Sequence, residues 1–162
     1  MDKSQLKTAH LRRIKSLALL DDAQLTTFLE HVEVIKYPYS GTVFGEGQKG
    51  DSMFLILDGE CRIFSKQRGG EILFLRILES GEAFGEIALL SGGPRSASVE
   101  ATKESILLKI SAASLETLRL EDPALAAQFL HHLARSLGRQ LNDLTKRLRA
   151  GREMKDLVTF IQ

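Results

Sequence analysis

The chain has 162 residues, of which 43% are hydrophobic and 27% charged, the balance of an ordinary globular protein. Its 22 Lys and Arg residues nearly match its 21 Asp and Glu residues, which excludes a polybasic nucleic-acid tail and an acidic solvating tail. One cysteine excludes an intramolecular disulfide framework, and no run of about 18 apolar residues predicts a membrane span. The first residues lack the apolar core of a signal peptide, so we expect a cytoplasmic protein with one domain over residues 1–162.

Residues 1–31 are predicted to form the N-terminal helices. Apolar residues recur at spacings of three and four from about Lys7 to His31, which is typical of a helix. Asp21 and Asp22 are placed to cap a second helix within this zone.

Residues 32–110 are predicted to form a β-rich zone, because short apolar runs alternate with glycine-containing turns. Many short strands at spacings of roughly 8–12 residues favour a sandwich or barrel over a parallel sheet. The predicted strands are Val32–Tyr37, Met53–Leu57, Cys61–Phe64, Ile72–Ile77, Ala97–Ala101 and Ser105–Ile110.

Residues 111–150 are predicted to form two C-terminal helices, a short one and a long one that starts at Pro123. Residues 151–162 follow as a tail. Leucines spaced by four and three along the long helix form a nearly heptad stripe. Two interpretations of the stripe stay open: the helix packs on its own domain, or it forms a coiled-coil-like seam with a second chain. Within the tail, residues 156–161 either extend the helix or dock on a partner.

The glycines of residues 45–50 match the dinucleotide-binding pattern G-x-G-x-x-G. In that motif a helix follows directly, and its amino terminus holds the pyrophosphate. Here residues 51–57 predict a strand instead. We therefore interpret these glycines as tight turns between strands.

Residue types suited to metal binding or catalysis are missing from the β-rich zone. A metal-dependent barrel enzyme needs histidines on its strands, and none of the four histidines lies between Val32 and Ile110. Cys61 has no histidine in the same zone to act as a base, so we interpret it as a small buried hydrophobe. We expect no metal site, no catalytic residue and no enzyme activity.

Residues 84–98, FGEIALLSGGPRSAS, carry the most informative chemistry. Gly85 allows the backbone to approach a ligand closely, and the short helix after it presents unpaired amide donors to an anion. Arg95 is a forked cation that matches phosphate oxygens, and Glu86 is an acceptor for hydroxyl groups. This set suits a ligand with a phosphate and a sugar; the alternative, that Glu86 and Arg95 simply pair with each other, stays open.

The same residues resemble the phosphate-binding cassette of cyclic nucleotide-binding domains, F-G-E-(I/L)-A-L followed after a few residues by P-R-(A/S/T)-A. The resemblance covers roughly residues 17–148. It implies an α+β fold, in which an antiparallel β-roll (a double-stranded β-helix, or jelly roll) lies between N-terminal helices and a long C-terminal helix. The upstream residues that repeat the family's strand-turn-strand signature are Gly47, Gly50, Asp51, Phe54, Ile56, Gly59 and Ile63.

By matched position, the resemblance implies that Glu86 accepts the ribose 2′-hydroxyl and that Arg95 binds the cyclic phosphate. Backbone amides complete the phosphate cradle, and two aliphatic side chains line the base pocket. The full set of implied binding residues is Gly85, Glu86, Ile87, Ala88, Arg95, Ser96, Ala97, Ile63 and Leu75.

The implied ligand is cAMP, with cGMP as the alternative, and no further cofactor is expected. In bacterial transcription activators of this family a Thr-Ser pair on the final helix contacts adenine, whereas Gln140 and Leu141 stand at those positions here. Ser96 does not decide the base, because a hydroxyl there can favour cGMP although activators with serine respond to cAMP.

In those activators a winged helix-turn-helix follows the long helix, but only residues 151–162 follow it here. The resemblance therefore implies a regulatory sensor without DNA or membrane binding, which passes ligand occupancy through its C-terminal helix to an unidentified effector protein. A homodimer through the same helix is expected. The alternative is a ligand-independent structural or interaction module on the same β-roll.

Overall fold

The computed structural model describes residues 3–67 and 69–160, with backbone only for Ser4 and for residues 151–160. A short 3-10 helix at Lys3–Gln5 precedes helices α1 (Thr8–Leu11) and α2 (Asp22–Glu30). Asp21 caps α2, because its side chain accepts the backbone N–H of Gln24 at 2.8 Å, as the sequence predicted.

Between α1 and α2 the chain forms successive turns rather than the regular helix that the apolar spacing predicted. The N–H groups of Ile14, Leu17 and Leu20 each donate to a carbonyl three residues earlier, and all three side chains are buried. A repeat of three fits turns with bonds over three residues as well as it fits a helix face. The segment is also held to the sheets, since the N–H of Lys15 donates to the Gly81 carbonyl at 2.9 Å.

The described residues form eight strands in two antiparallel sheets, and the six predicted strands are all present. The strands are β1 (Glu33–Tyr37), β2 (Thr42–Phe44), β3 (Ser52–Asp58), β4 (Glu60–Lys66), β5 (Ile72–Glu79), β6 (Ala83–Phe84), β7 (Ser98–Ala101) and β8 (Ser105–Ser111). One sheet has the order β1-β8-β3-β6 and the other has the order β2-β7-β4-β5. The very short strands β2 and β6 were not predicted from the sequence.

Two apolar clusters hold these layers together. One joins the two sheets and includes Ile56 of β3 and Cys61 of β4. The other packs the outer face of the first sheet against the helices, where the rings of Phe28 and Phe129 lie 5.0 Å apart. Antiparallel sheets with helices at both ends of the chain confirm the predicted α+β architecture.

The remaining helices are α3 (Glu86–Ser91), which connects β6 to β7, α4 (Ala112–Glu121) and α5 (Pro123–Phe160). Asp122 caps the start of α5 by accepting the N–H of Leu125 at 2.9 Å. The helix continues through residues 151–160, so the predicted tail extends the helix, one of the two alternatives for residues 156–161. Residues 161 and 162 lie outside the described part.

Helix α5 packs on the rest of the chain only over its first turns. Leu125, Phe129 and Leu133 are buried, whereas Leu141 and Leu148 are 65% and 61% exposed. Among residues 123–150, whose side chains the structure describes, the helix thus packs on its own domain at its start and leaves the later leucines of the stripe exposed, so both interpretations of the stripe stay open. No helix within the described ranges is both long and apolar enough to cross a membrane.

Candidate ligand-binding site

A cavity of about 160 Å³ lies where α3, the turn before β7 and the β4–β5 hairpin meet. The structure brings all but one of the predicted binding residues to its wall. Those residues are Gly85, Glu86, Ile87, Ala88, Arg95, Ser96, Ala97 and Ile63.

Arg95 is the buried cation of this cavity, with only 6% of its surface exposed. Its Nη1 donates to the Ser52 carbonyl at 2.6 Å and to the Gly85 carbonyl at 3.3 Å, and its Nη2 donates to Ser52 Oγ at 3.0 Å. Burial lowers the pKa of the guanidinium and the nearby charge of Asp51 raises it, but the group stays cationic. The acceptors are neutral oxygens, so the positive charge is not neutralised by a bonded carboxylate.

The loop of residues 45–50 fixes the backbone of Arg95. The N–H of Gly47 donates to the Arg95 carbonyl at 2.8 Å, and the N–H of Arg95 donates to the Gln48 carbonyl at 2.8 Å. Strand β3 follows the loop, which confirms the interpretation of its glycines as turns rather than as a dinucleotide motif. The loop thus contributes to the site by holding the arginine.

Two glycines leave room for the Arg95 side chain. A Cβ on Gly50 would lie 2.5 Å from the Ala88 Cβ and 2.9 Å from Arg95 Nε. A Cβ on Gly85 would lie 2.8 Å from Arg95 Nη1, and Gly85 also has φ of 80°, in the left-handed region. Any larger residue at either position would displace the guanidinium.

Gly85 is also the N-cap of α3, and no side chain caps this helix end. The first N–H groups of a helix have no acceptor within the helix. The amides of Ile87 and Ala88 therefore lie at the cavity wall as potential donors, close to the cationic Arg95.

Glu86 is the buried carboxylate of the cavity, with 7% of its surface exposed. Its Oε2 has no hydrogen-bond partner among the described residues. Burial raises the pKa of this carboxyl, while its own backbone N–H and the charge of Arg76 oppose the rise. Arg95 makes its bonds to Ser52 and Gly85, so the alternative that Glu86 and Arg95 simply pair is wrong.

Leu75 is the one predicted binding residue that does not line the cavity. It lies in an adjoining groove of about 750 Å³ between β5 and α5. Successive residues of a strand point to opposite faces, and the next residue, Arg76, lines the cavity in its place. Arg76 is not among the binding residues predicted from the sequence, although it is a single charge within the apolar run of β5.

The groove is continuous with the cavity, because Arg76, Glu86, Ile87 and Gln140 line both. Gln140 reaches the site from α5, so the long helix forms one side of the cavity mouth. A ligand can therefore place a charged end beside Arg95 and an apolar end under α5.

Neither a metal cluster nor a reactive thiol accompanies this site. Among the side chains that the structure describes, which extend to residue 150, no group of three or more His, Cys, Asp or Glu residues could hold a metal ion. Cys61 is fully buried, and burial raises the pKa of its thiol to about 11, which keeps it protonated. Its environment is that of a small hydrophobe.

The sequence profile of the cyclic nucleotide-binding domain matches residues 34–122, more than half of the chain. The chain is 26% identical over 146 residues to the "CRP-like cAMP-activated global transcriptional regulator" of Mycobacterium tuberculosis, covering 88% of this chain and 65% of that protein. It is 35% identical over 107 residues to the "Cyclic AMP receptor protein" of Thermus thermophilus, covering 66% of this chain and 48% of that protein.

A solved structure shares the fold. The N-terminal domain of a transcriptional regulator from Streptomyces coelicolor A3(2) superposes with a TM-score of 0.71 at 29% identity, covering 83% of this chain and 95% of that one. The chain thus spans about half to two thirds of the curated relatives but nearly all of this isolated domain. By profile, sequence and fold, the chain belongs to the cyclic nucleotide-binding domain family.

Proposed function

We propose that the protein binds a 3′,5′-cyclic nucleotide and acts as a regulatory sensor rather than an enzyme. The observation that carries this proposal is that one cavity holds a buried cation and a buried carboxylate oxygen that has no hydrogen-bond partner in the described part of the chain. Unpartnered buried polar atoms cost free energy, so natural proteins keep few of them. A ligand that supplies a phosphate to Arg95 and a hydroxyl to Glu86 would satisfy both groups.

The phosphate is proposed to lie beside Arg95 and the first turn of α3. Arg95 offers forked donors that match two phosphate oxygens, and charge-assisted bonds of this kind are stronger than its bonds to neutral oxygens. The backbone amides of Ala88, Ser96 and Ala97 border the same cavity and are proposed to complete the cradle.

The ribose is proposed to lie beside Glu86. A carboxylate is acceptor-only, so Oε2 suits the 2′-hydroxyl of the sugar. The base then points toward the mouth, between Ile63 and helix α5. The names of the relatives point to cAMP, and the groups that face the phosphate and the ribose fit cAMP and cGMP equally.

Helix α5 is proposed to carry the signal to an effector protein and to form a homodimer. It contributes Gln140 to the cavity mouth, and beyond this residue it exposes Leu141, Leu144 and Leu148 at nearly heptad spacing. A stripe of this kind suits a second helix. Ligand binding would shift α5 only as far as the ligand prefers one helix position over the other.

Calorimetric titration of the purified chain tests the function. We expect one site per chain for cAMP or cGMP, and much weaker binding of 5′-AMP and of inorganic phosphate, because these lack the cyclic diester geometry. Absence of heat and of any thermal shift with both cyclic nucleotides would contradict the proposal and favour the ligand-independent interaction module.

A further inference from the structure

The exposed part of α5 carries a row of cations that the proposed binding site does not use. Arg135, Arg139, Lys146 and Arg149 are all exposed. Successive residues of an α-helix are rotated by about 100°, so these four side chains fall within an arc of about 80° on one side of the helix. They span about 21 Å along the axis at about 1.5 Å per residue. We call this row the basic face of α5.

The basic face lies on the side of α5 away from the leucine stripe. By the same rotation, Leu137, Leu141, Leu144 and Leu148 fall within an arc of about 60°, whose centre is about 150° from the centre of the basic face. A homodimer that buries the leucine stripe would leave the basic face of each chain pointing outward. The basic face is therefore accessible in the monomer and in the proposed homodimer.

No carboxylate neutralises the basic face. Among the side chains that the structure describes, its four cations form no ion pair, whereas Arg62 pairs with Glu100 and Lys109 pairs with Glu33 elsewhere on the surface. Residues 134–150 hold five cations and one anion, a net charge of +4 in a chain whose total is +1, which leaves −3 for the other residues. The positive charge of the protein is therefore concentrated on this part of α5.

Two common sources of helix stability do not account for these cations. Cations interact favourably with the helix dipole only in the last turn, and α5 runs to Phe160, well beyond Arg149. Cations also pair with acids three or four residues away, but Asp143, the one acid within residues 134–150, forms no ion pair with the described side chains. Like charges four residues apart, as at Arg135 and Arg139, destabilise a helix instead.

The distribution of charge discriminates among anionic partners. A helix on a membrane surface buries a broad apolar face with aromatic residues, whereas the leucine stripe is narrow and residues 134–150 contain no Phe, Tyr or Trp. A nucleic acid that extends beyond the basic face meets the rest of the chain, whose net charge of −3 repels it. An acidic helix matches the straight row of cations, and its carboxylates pair with the forked donors of arginine.

We propose that the basic face of α5 docks an acidic helix of the effector protein, one whose Asp or Glu residues recur at spacings of three and four. Such spacings place the carboxylates on one side of the partner helix, so two helices lying side by side match charge with charge over about 21 Å. The identification of this partner as the effector rests on the proposed role of α5 as the output of the sensor. The ion pairs are open to solvent, so salt weakens the contact.

Two helical peptides of equal composition test the inference by fluorescence anisotropy. In the striped peptide the glutamates recur at spacings of three and four on one side, and in the scattered peptide the same glutamates are distributed around the helix. Side-chain crosslinks keep both peptides helical, because like charges four residues apart destabilise an isolated helix. We expect the wild type to bind the striped peptide at least about 10-fold more tightly, with an affinity that falls as salt rises.

Charge reversal on the basic face should weaken this binding. The double variant Arg139→Glu/Lys146→Glu turns two attractive contacts into repulsive ones, so we expect at least about 10-fold lower affinity for the striped peptide. Lys36→Glu/Lys66→Glu is the matched control, because it changes the net charge equally at exposed cations of β1 and β4. The control should stay within threefold of the wild type, and both double variants should bind cyclic nucleotide as the wild type does.

The outcomes separate the docking surface from the sensor function. Equal affinities for the two peptides, or equal effects of the two double variants, would overturn the inference while cyclic nucleotide binding stands. Tighter binding of duplex DNA or of anionic lipid vesicles than of the striped peptide, lost in Arg139→Glu/Lys146→Glu, would also overturn it by assigning the basic face to another class of partner. Selective binding of the striped peptide by a chain that binds no cyclic nucleotide would support the docking surface and overturn only the sensor function.

Discussion

The guanidinium carbon of Arg95 lies 4.0 Å from the ring centroid of Phe44, so the cation is stacked on an aromatic face inside the cavity. Cation–π contacts within about 6 Å are favourable, and more so when water is excluded. Together with the bonds to Ser52, this contact fixes the arginine before any ligand arrives. Binding then loses little side-chain entropy at this residue.

Replacing Arg95 tests its role as the anion anchor. Truncating one partner of a buried charge pair costs about 2–5 kcal/mol, so Arg95→Ala should weaken cyclic nucleotide binding by roughly 30-fold to several thousand-fold. Arg95→Lys should restore little, because lysine cannot stack and donate as a planar fork. Calorimetry measures both, and Arg119→Ala on the exposed face of α4 is the control. Affinity within threefold of wild type in Arg95→Ala would contradict the assignment.

Glu86→Gln tests recognition of the ribose. A hydrogen bond to a charged group contributes about 1.5–3 kcal/mol, so this variant should lose roughly 10-fold to 100-fold in affinity. The loss should largely vanish with the 2′-deoxy nucleotide, which lacks the partner hydroxyl. Equal losses for the ribo- and deoxynucleotides would show that Glu86 acts elsewhere.

The same substitution should stabilise the ligand-free protein at neutral pH. Burial raises the pKa of the Glu86 carboxyl above its unfolded value, so the folded state holds the proton more tightly than the unfolded state. The resulting stability is full below the unfolded pKa and is lost as the pH rises through the folded pKa. Glu86→Gln should therefore raise the Tm at pH 7 and change it little at about pH 4. Glu33→Gln, at an exposed ion pair, is the control, and a lower Tm of Glu86→Gln at pH 7 would contradict this prediction.

Gly50→Ala should damage the site while the sheets stay folded. Its Cβ would overlap Ala88 and press on Arg95, so we expect at least 10-fold weaker binding, about 1.4 kcal/mol. Gly45→Ala is the matched control in the same loop, because the nearest atom to its Cβ lies at 3.5 Å, an ordinary contact. Calorimetry and circular dichroism separate loss of binding from loss of fold. Equal affinities of the two variants for the nucleotide would show that the Arg95 side chain does not need a glycine at position 50.

Leu144→Glu should break the proposed homodimer. Burying a leucine is worth about 1.5–3 kcal/mol, and the change occurs on both chains, so the dimer dissociation constant should rise about 100-fold or more. Leu120→Glu is the matched control, since Leu120 is 68% exposed on α4 and lies off the stripe. Sedimentation velocity over a range of concentrations measures the effect. A wild type that stays monomeric, or a dimer that both variants keep, would contradict the proposal.

The sequence predicts this fold well where elements are long enough to show a period. The predicted strands and the cap at Asp21 all appear, but β2 and β6 are too short to carry an alternating pattern. Between α1 and α2 the apolar residues recur every three positions in successive turns, a spacing that also fits a helix. The end of α5 was not fixed by the sequence, since a helical extension of residues 156–161 and docking on a partner both stayed open, and the helix runs to Phe160.

The candidate site was predictable where a motif fixes the backbone. Eight of its nine predicted residues line one cavity, since the cassette from Gly85 to Ala97 specifies the close approach of α3 and Arg95. The orientation of β5 was not predictable in the same way. Leu75 and Arg76 both lie in an apolar run, and only the pairing of Arg76 with Ile63 decides which of them faces the cavity.

The uneven packing of α5 gives the helix a mechanical property. It is anchored where Phe129 and Leu133 are buried and runs on as a single helix to Phe160. The part beyond Leu133 is about 40 Å long at about 1.5 Å per residue, so a tilt of about 5° at the anchor moves the far end by about 3.5 Å. A rotation of α5 that is small enough to preserve the contact between Phe28 and Phe129 thus moves the far end of the helix by the distance that separates a formed side-chain contact from a broken one. If α5 carries the signal as proposed, its length sets the size of the displacement, and shortening it beyond Arg147, the last residue that lines the groove, should weaken the signal without changing the affinity for the ligand.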